Sequence, residues 1–223
     1  MKKYGVFKVI ILVLGAVLAA GITWRLVKTG FYFQDLLSQH GLYFIAGALL
    51  FAAISQFLPL PSAVYVFGHE LTHAFAIVLC GGRVTSFNVR SNGGMVTTNM
   101  SNSFIALAPY FLPVYMVIVI AAYNIIDIFI PLGTYMPLYY VLLGFTYGFH
   151  LGCTAVFARS YQPDLKDEGL VFSFAMIYLA NIIVLTAVMK LLLQNFDIIG
   201  FYFTAGRDIM AAGKAFFAWF SAR

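Results

Sequence analysis

Residues 62–80 read SAVYVFGHELTHAFAIVLC, and Glu70 is the one formally charged side chain among them. About 20 predominantly apolar residues are enough for an α-helix to cross the hydrocarbon core of a bilayer. The segment therefore predicts a transmembrane helix. This helix carries a carboxylate and two histidines, which are groups that the bilayer core solvates poorly.

The composition of the whole chain also indicates a membrane protein. Hydrophobic residues make up 62% of the 223 residues and charged residues 9%, against roughly 45–50% and about 25% in soluble domains. Between residues 36 and 158 the formal charges are Glu70, Arg83, Arg90 and Asp127. A soluble fold could not present so few charges to water. We therefore predict an integral, multi-pass protein of a bacterial-type cytoplasmic membrane, in contact with the lipid bilayer.

The other apolar segments set the expected number of crossings. Together with residues 62–80, runs of sufficient length lie at residues 9–24, 41–58, 103–126, 137–159 and 170–193. The expected fold class is an all-α polytopic membrane protein with about six transmembrane helices. Because the chain has no internal repeat and no long linker, we expect residues 1–223 to form a single membrane-embedded domain, with its central helix bundle at residues 41–193.

Prolines predict two interruptions of this pattern. Proline cannot continue a helix past its first turn. Pro59 and Pro61 therefore predict a tight turn between the second and third crossings. Pro109 and Pro113 predict a kink within the fourth crossing, where freed backbone carbonyls would face a cavity or a neighbouring helix.

The two ends of the chain need separate interpretation. Residues 1–30 form either a first transmembrane helix, retained as a signal anchor, or a signal peptide that is removed, since both begin with basic residues before an apolar run. Arg25 and Lys28 after the run, and Trp24 at its end, favour the retained helix. Residues 195–223 mix charges with many aromatic residues, which predicts an interfacial C-terminal helix rather than a seventh crossing.

A β-hairpin is expected directly after the helix at residues 62–80. Two β-rich runs, at residues 83–90 and 95–98, flank the sequence SNGG at residues 91–94. Such runs around an Asn-Gly-Gly turn are typical of a hairpin. Its free edge would offer backbone groups for pairing with an extended peptide.

Charge and cysteine content argue against two other classes of protein. The net charge of +5 and the pI of about 9.2 would favour nucleic-acid binding only if the basic residues were clustered. They occur in ones and twos, so no nucleic-acid partner is expected. Cys80 and Cys153 form no Cys-x-x-Cys pair and lie in apolar stretches, which argues against a disulfide framework.

His69, Glu70 and His73 form the pattern His-Glu-x-x-His on the predicted helix. Histidines four residues apart share one helix face at about 6 Å, so both imidazoles can reach one zinc ion, and the Glu between them can address a water molecule there. The alternative is that these residues only pack within a helix bundle. It is disfavoured because a charged carboxylate at mid-bilayer costs at least about 2.5–3.5 kcal/mol, and ionisable groups are rarely kept there without a role.

Three features together resemble the site-2 protease family of intramembrane zinc metalloproteases. They are the run GHELTHA at residues 68–74 inside an apolar helix, the exit GGRV at residues 81–84 and the paired glycines at residues 93–94. The resemblance covers roughly residues 60–185. It implies a zinc-dependent metalloendopeptidase, with Zn²⁺ as cofactor, that hydrolyses peptide bonds in or near the transmembrane segments of a membrane-protein substrate.

The same resemblance implies that His69 and His73 are zinc ligands and that Glu70 is the catalytic base. Proteases of this family typically take their third ligand from an aspartate in an Asn-Pro…Asp-Gly pattern. This chain has QPD at residues 162–164 and DEG at residues 167–169 instead. The resemblance therefore does not identify the third ligand.

Depth in the membrane gives an independent criterion for the third ligand. At a rise of 1.5 Å per residue, His73 lies about 10 Å and His69 about 17 Å from Cys80, where the helix is expected to end. His150 precedes Arg159 by nine residues and so lies about 13 Å from the same surface. His150 therefore matches the depth of the two histidines.

Asp164 is the main alternative to His150 as the third ligand. It lies beyond the expected membrane surface and reaches the site only if the chain folds back, which Pro163 would permit by breaking the helix. Depth therefore favours His150, with Asp164 as the second candidate. Two further candidates are Asp167 and Cys153.

A function of another class stays open at this point, namely a non-proteolytic membrane metal- or haem-binding scaffold. A haem with two histidine ligands would use histidines on facing helices, for example His73 and His150. Such a site has no need for Glu70. The presence of this carboxylate within the motif makes the metalloprotease the preferred interpretation.

Overall fold

The computed structural model describes residues 5–28, 37–58, 62–90, 93–157, 163–193 and 195–222. Its helices are α1 (Val6–Lys28), α2 (Gln39–Phe57), α3 (Ser62–Leu79), α4 (Ser103–Leu107), α5 (Val114–Phe129), α6 (Met136–Phe157), α7 (Pro163–Glu168), α8 (Leu170–Leu192) and α9 (Ile198–Ser221). Short 3-10 helices cover Ala108–Tyr110 and Gly133–Tyr135, and the strands β1 (Val84–Arg90) and β2 (Gly93–Thr98) form an antiparallel pair.

Five of the described helices are long and apolar enough to cross a membrane. They are α1, α2, α3, α8 and the helix formed by α6 together with the 3-10 helix before it. The fourth predicted crossing is instead broken, because Ser103–Tyr110 and Val114–Phe129 meet at an angle of 79°. The kink expected at Pro109 and Pro113 is thereby confirmed. The chain has the architecture of a helical membrane protein with one β-hairpin.

The described helices form two compact units. One unit comprises Gln39–Ser173, and the other combines Met1–Ser38 with Phe174–Arg223. The second boundary falls inside α8, a continuous helix. Composition could not indicate this division, because a boundary within a helix has neither a linker nor a change of residue type.

Glycines allow α2 and α6 to pack closely in the unit Gln39–Ser173. A Cβ atom on Gly47 would overlap the carbonyl oxygen of Val141, and one on Gly144 would overlap that of Phe44. Both positions therefore need a residue without a side chain. Close backbone approach through small residues is a common way for helices to associate in membranes.

The other unit brings α1 and α9 together. Gly21 of α1 lies directly beneath the Ile209 side chain, and Arg25 forms an ion pair of 3.8 Å with Asp208. Beyond these contacts α9 exposes a run of large aromatic residues, which are Phe216, Phe217, Trp219 and Phe220. Helix α9 is not among the described helices that are apolar enough to span.

The chain leaves α3 through a glycine turn. Gly81 has a φ of 79°, and the backbone N–H of Gly82 donates to the carbonyl of Ile77 at 2.8 Å. Glycine is common at this position of a helix C-terminus, because a left-handed backbone conformation is strained for other residues. The predicted helix end near Cys80 is confirmed, and the chain then enters the hairpin.

The hairpin pairs Arg90 with Gly93, and its register shifts once between Val84 and Ser86. The strands pack against α3 over a small apolar cluster, whose buried members are Ala76, Ile77, Ile105 and Ala108. The hairpin is therefore held beside the helix that carries the His-Glu-x-x-His motif. The predicted turn residues 59–61 and 91–92, and Arg159, lie outside the described residues.

Candidate metal centre

Three side chains from two separated parts of the chain meet at one point. The Nε2 atoms of His69 and His73 on α3 are 3.2 Å apart. Oδ2 of Asp164 on α7 lies 3.4 Å from Nε2 of His69 and 3.6 Å from Nε2 of His73. Within the described parts of the chain, no other group of three or more His, Cys, Asp or Glu side chains brings its ligand atoms this close together.

Two hydroxyl groups hold α7 in the position from which Asp164 reaches the histidines. Oγ of Ser103 donates to Oε2 of Glu168 at 2.5 Å, and Oγ of Ser173 donates to the carbonyl of Leu165 at 3.0 Å. These bonds tie the short helix to α4 on one side and to the start of α8 on the other. The short helix α7 is therefore held beside the two histidines.

The structure does not bring His150 into this group, contrary to the preference based on depth. His150 is buried on α6, with 8% of its surface exposed. It lines a separate small cavity of about 30 Å³ that also borders His69, Thr72 and Cys153. Equal depth on two helices does not make two side chains face each other, and here the carboxylate that faces the histidines comes from α7. Asp167 and Cys153, the further candidates, also lie outside the group.

Contacts on the far side of each imidazole orient the two histidines. Nδ1 of His73 is 2.9 Å from the carbonyl oxygen of Ile105. A carbonyl can only accept, so Nδ1 is the donor of this bond, and Nε2 is the ring nitrogen that faces the site. Nδ1 of His69 lies 3.3 Å from the Tyr65 hydroxyl. Tyr65 is not among the site residues predicted from the sequence, although its position four residues before His69 puts both on one helix face.

Glu70 lies beside this group of three side chains and beneath β2. Its side chain is 7% exposed, and the backbone N–H of Val96 donates a hydrogen bond to it. A Cβ atom on Gly94 would overlap the Glu70 side chain. Glycine is therefore required at position 94, because β2 approaches the Glu70 carboxylate too closely for a side chain there.

Asp164 is the charged partner of the two histidines. Burial raises the pKa of its carboxyl group, but interactions with His69 and His73 outweigh burial, and the net pKa lies well below the usual range. The carboxyl group is therefore ionised at neutral pH. Ionised carboxylate is the form that binds metal ions.

A cavity of about 560 Å³ opens beside these residues. β2 lines one side of it, and the other lining residues include both apolar side chains, such as Val66 and Phe157, and polar ones, such as Ser62 and Ser101. In a sheet of two strands, each strand keeps one unpaired edge. β2 borders the cavity, and one of its backbone groups, the N–H of Val96, is engaged by Glu70.

Comparison of the chain with protein-family models, with curated protein sequences and with solved structures finds no match.

Proposed function

We propose that the chain is an intramembrane zinc metalloprotease, similar to site-2 proteases, which hydrolyses peptide bonds in or near transmembrane segments of membrane proteins. One observation carries this proposal. His69 and His73 converge with Asp164 beside Glu70. The two histidines and Glu70 lie on α3, a helix that is long and apolar enough to span a membrane. A carboxylate one residue from a metal ligand is the arrangement that a metalloprotease needs for proton transfer.

The ligand set and its spacing fit zinc. Two imidazole nitrogens and one carboxylate oxygen are typical of catalytic zinc sites, which keep a fourth position open. A tetrahedral ion with bonds of about 2.0–2.2 Å would separate its ligand atoms by about 3.3–3.6 Å. The three separations here are 3.2, 3.4 and 3.6 Å. His69, His73 and Asp164 could therefore hold the ion with little rearrangement.

Glu70 is the proposed general base. When bound, zinc would lower the pKa of a water molecule and polarise the scissile carbonyl. Glu70 would take a proton from the attacking water and pass it to the leaving amine nitrogen. The hydrogen bond from Val96 and the cover provided by Gly94 hold the carboxylate in one place. Fixed geometry of this kind is a large part of the rate advantage of an enzyme.

β2 is the proposed docking edge for the substrate. The carbonyls of a transmembrane helix are engaged in its own hydrogen bonds, so the substrate must be extended before cleavage. An extended segment can add to an unpaired strand edge through backbone hydrogen bonds. β2 runs beside the cavity that contains Glu70 and the three ligands, so a segment paired with β2 would pass the site.

A haem scaffold is less well supported. Haem ligation through His73 would need Nε2 of this residue to face a porphyrin. That nitrogen instead faces Nε2 of His69 and the Asp164 carboxylate. A non-proteolytic zinc scaffold would keep the three ligands but would have no use for Glu70.

The test uses the purified full-length chain in proteoliposomes with several membrane-spanning reporter proteins. We expect reporter cleavage that stops on treatment with a zinc chelator and returns when zinc is restored. The purified protein should also contain about one zinc per chain, as a single site of this type requires. A Soret band in the absorption spectrum, or stoichiometric zinc without cleavage of any reporter, would contradict the protease assignment.

A further inference from the structure

Tyr65 and His69 lie one turn apart on α3, so their side chains share one face of the helix. The Tyr65 hydroxyl is 3.3 Å from Nδ1 of His69, and the two ring centroids are 5.6 Å apart. Nε2, the other nitrogen of the same imidazole, faces His73 and Asp164. Tyr65 therefore bonds to His69 on the side of the ring that lies away from the ligand group.

The hydroxyl of Tyr65 suits a histidine that binds a metal ion. Such a histidine binds the ion through one ring nitrogen and donates the N–H of the other nitrogen to a neighbouring group. A tyrosine oxygen can accept this hydrogen bond, and the Tyr65 oxygen lies within reach of Nδ1. The bond would fix the rotation of the His69 ring and with it the direction of Nε2.

The ring of Tyr65 is itself held in place. It stacks on the ring of Phe157, with 3.8 Å between the centroids and an angle of 7° between the planes. Both rings also pack against an apolar cluster, whose buried members are Phe51, Phe149 and Cys153. The hydroxyl of Tyr65 is therefore directed at His69 by packing on neighbouring helices as well as by its own helix.

This packing connects the metal centre to α6. Phe157 is the last residue of α6, whereas the three side chains of the ligand group come from α3 and α7. Through Tyr65, α6 thus contacts a residue that bonds directly to a ligand. His73 differs in this respect, because its Nδ1 is bonded to the backbone carbonyl of Ile105. The partner of His69 is a side chain, which substitution can change on its own.

We propose that Tyr65 is a positioning residue of the metal centre, which orients the His69 imidazole through Nδ1 and is itself held by Phe157 at the end of α6. The inference rests on the metal site of the proposed function but not on proteolysis. Tyr65 acts through His69 and is not a ligand. Partners that orient metal ligands typically contribute about 10–100-fold to metal affinity or activity.

The first test compares Tyr65→Phe with the wild type by competition for zinc against a chromogenic chelator, using the full chain in detergent without substrate. Phenylalanine keeps the ring that stacks on Phe157 and removes only the hydroxyl. We expect zinc affinity to fall by about 10–100-fold.

The matched control is Tyr123→Phe, which removes a hydroxyl that donates to the carbonyl of Leu132 at 3.1 Å. This bond lies away from the ligand group, so zinc affinity should stay within about twofold of the wild type. Unchanged affinity in Tyr65→Phe, or an equal loss in Tyr123→Phe, would overturn the inference.

The second test asks whether Phe157 acts through Tyr65. Phe157→Leu keeps an apolar side chain and removes the stacked ring, so zinc affinity should fall by more than about twofold in the wild-type background. In the Tyr65→Phe background no hydroxyl is left for the stack to direct, and the same change should cost less than about twofold. An equal loss in both backgrounds, or no loss in either, would overturn the link to α6.

Cobalt substitution distinguishes positioning from loss of the fold. Tyr65→Phe saturated with Co²⁺ should keep visible absorption bands, at positions shifted from those of the wild type. Bands identical to the wild type, or no bands at all, would count against positioning.

The same measurements separate this inference from the protease assignment. Weaker zinc binding in Tyr65→Phe, together with a wild type that cleaves no reporter, would support the positioning role while the protease assignment fails. Unchanged zinc binding in Tyr65→Phe, together with an active wild-type protease, would do the reverse.

Discussion

Gly94 of β2 lies so close to Glu70 of α3 that a Cβ atom at Gly94 would overlap Cγ, Cδ and Oε1 of the glutamate. The carboxylate is held between its own helix and the strand, and the neighbouring Val96 N–H donates to it. The strand that borders the cavity thus also determines where the proposed base can lie. The proposed substrate docking and the position of the proposed base therefore depend on the same strand.

Gly94→Ala should displace the Glu70 side chain without touching the metal ligands. A misplacement of about 1 Å at a reacting group can cost about 10²-fold in rate. We expect cleavage of a membrane-spanning reporter to fall by about this factor, while zinc content stays unchanged. Reporter kinetics and metal analysis of the same preparation check both parts.

Gly133→Ala is the matched control for this change, because a Cβ atom at Gly133 would meet no atom within 4 Å. Its cleavage rate should equal that of the wild type. If Gly94→Ala also cleaves at the wild-type rate, the strand does not fix the position of Glu70.

Gly144→Ala should destabilise the unit Gln39–Ser173 by forcing α6 away from α2, since the added methyl group would overlap the carbonyl of Phe44. Insertion of an extra carbon into a tightly packed contact typically costs about 1–3 kcal/mol. The expected result is a lower unfolding temperature in detergent. Gly213→Ala on α9 meets open space and should leave the unfolding temperature unchanged or raise it slightly, because alanine favours helix. Equal unfolding temperatures for the two variants would contradict the close packing of α2 and α6.

The long helices and the break between α4 and α5 could be predicted from the sequence, because their causes are local. Apolar runs of about 20 residues are visible in the chain itself, and Pro109 and Pro113 interrupt a helix wherever it packs. The hairpin follows from residues 83–98 for the same reason, and the α3 exit depends on Gly81. The proximity of His69, Glu70 and His73 could be predicted because it follows from the helical repeat alone.

The third member of the site could not be predicted because its position depends on tertiary contacts. Asp164 reaches the histidines because α7 is held beside α4, where Ser103 binds Glu168 across 65 positions of the sequence. Depth along a helix gives one coordinate of a side chain and leaves its direction open. His150 matches the depth of the histidines but faces another cavity.

Asp164→Ala should lose zinc, and His150→Ala should keep it. Removal of the carboxylate leaves two imidazole ligands, which is fewer than the three protein ligands of catalytic zinc sites. Metal analysis after dialysis against a weak chelator measures the difference. Asp167→Ala changes an exposed carboxylate on the same short helix and serves as the control that should retain zinc. Loss of zinc in His150→Ala with full retention in Asp164→Ala would return the third-ligand role to His150.

Glu70→Gln separates an enzyme from a metal-binding scaffold. Glutamine keeps the size of the side chain and can still accept a hydrogen bond from Val96, but it cannot take a proton from water. Zinc content and folding should therefore be retained, while reporter cleavage should fall by about 10²–10⁴-fold, the usual contribution of general acid–base catalysis. His69→Ala should instead lose metal and activity together. Cleavage by Glu70→Gln at the wild-type rate would remove Glu70 as the base, and loss of zinc from this variant would mean that the carboxylate is needed for metal binding rather than for proton transfer.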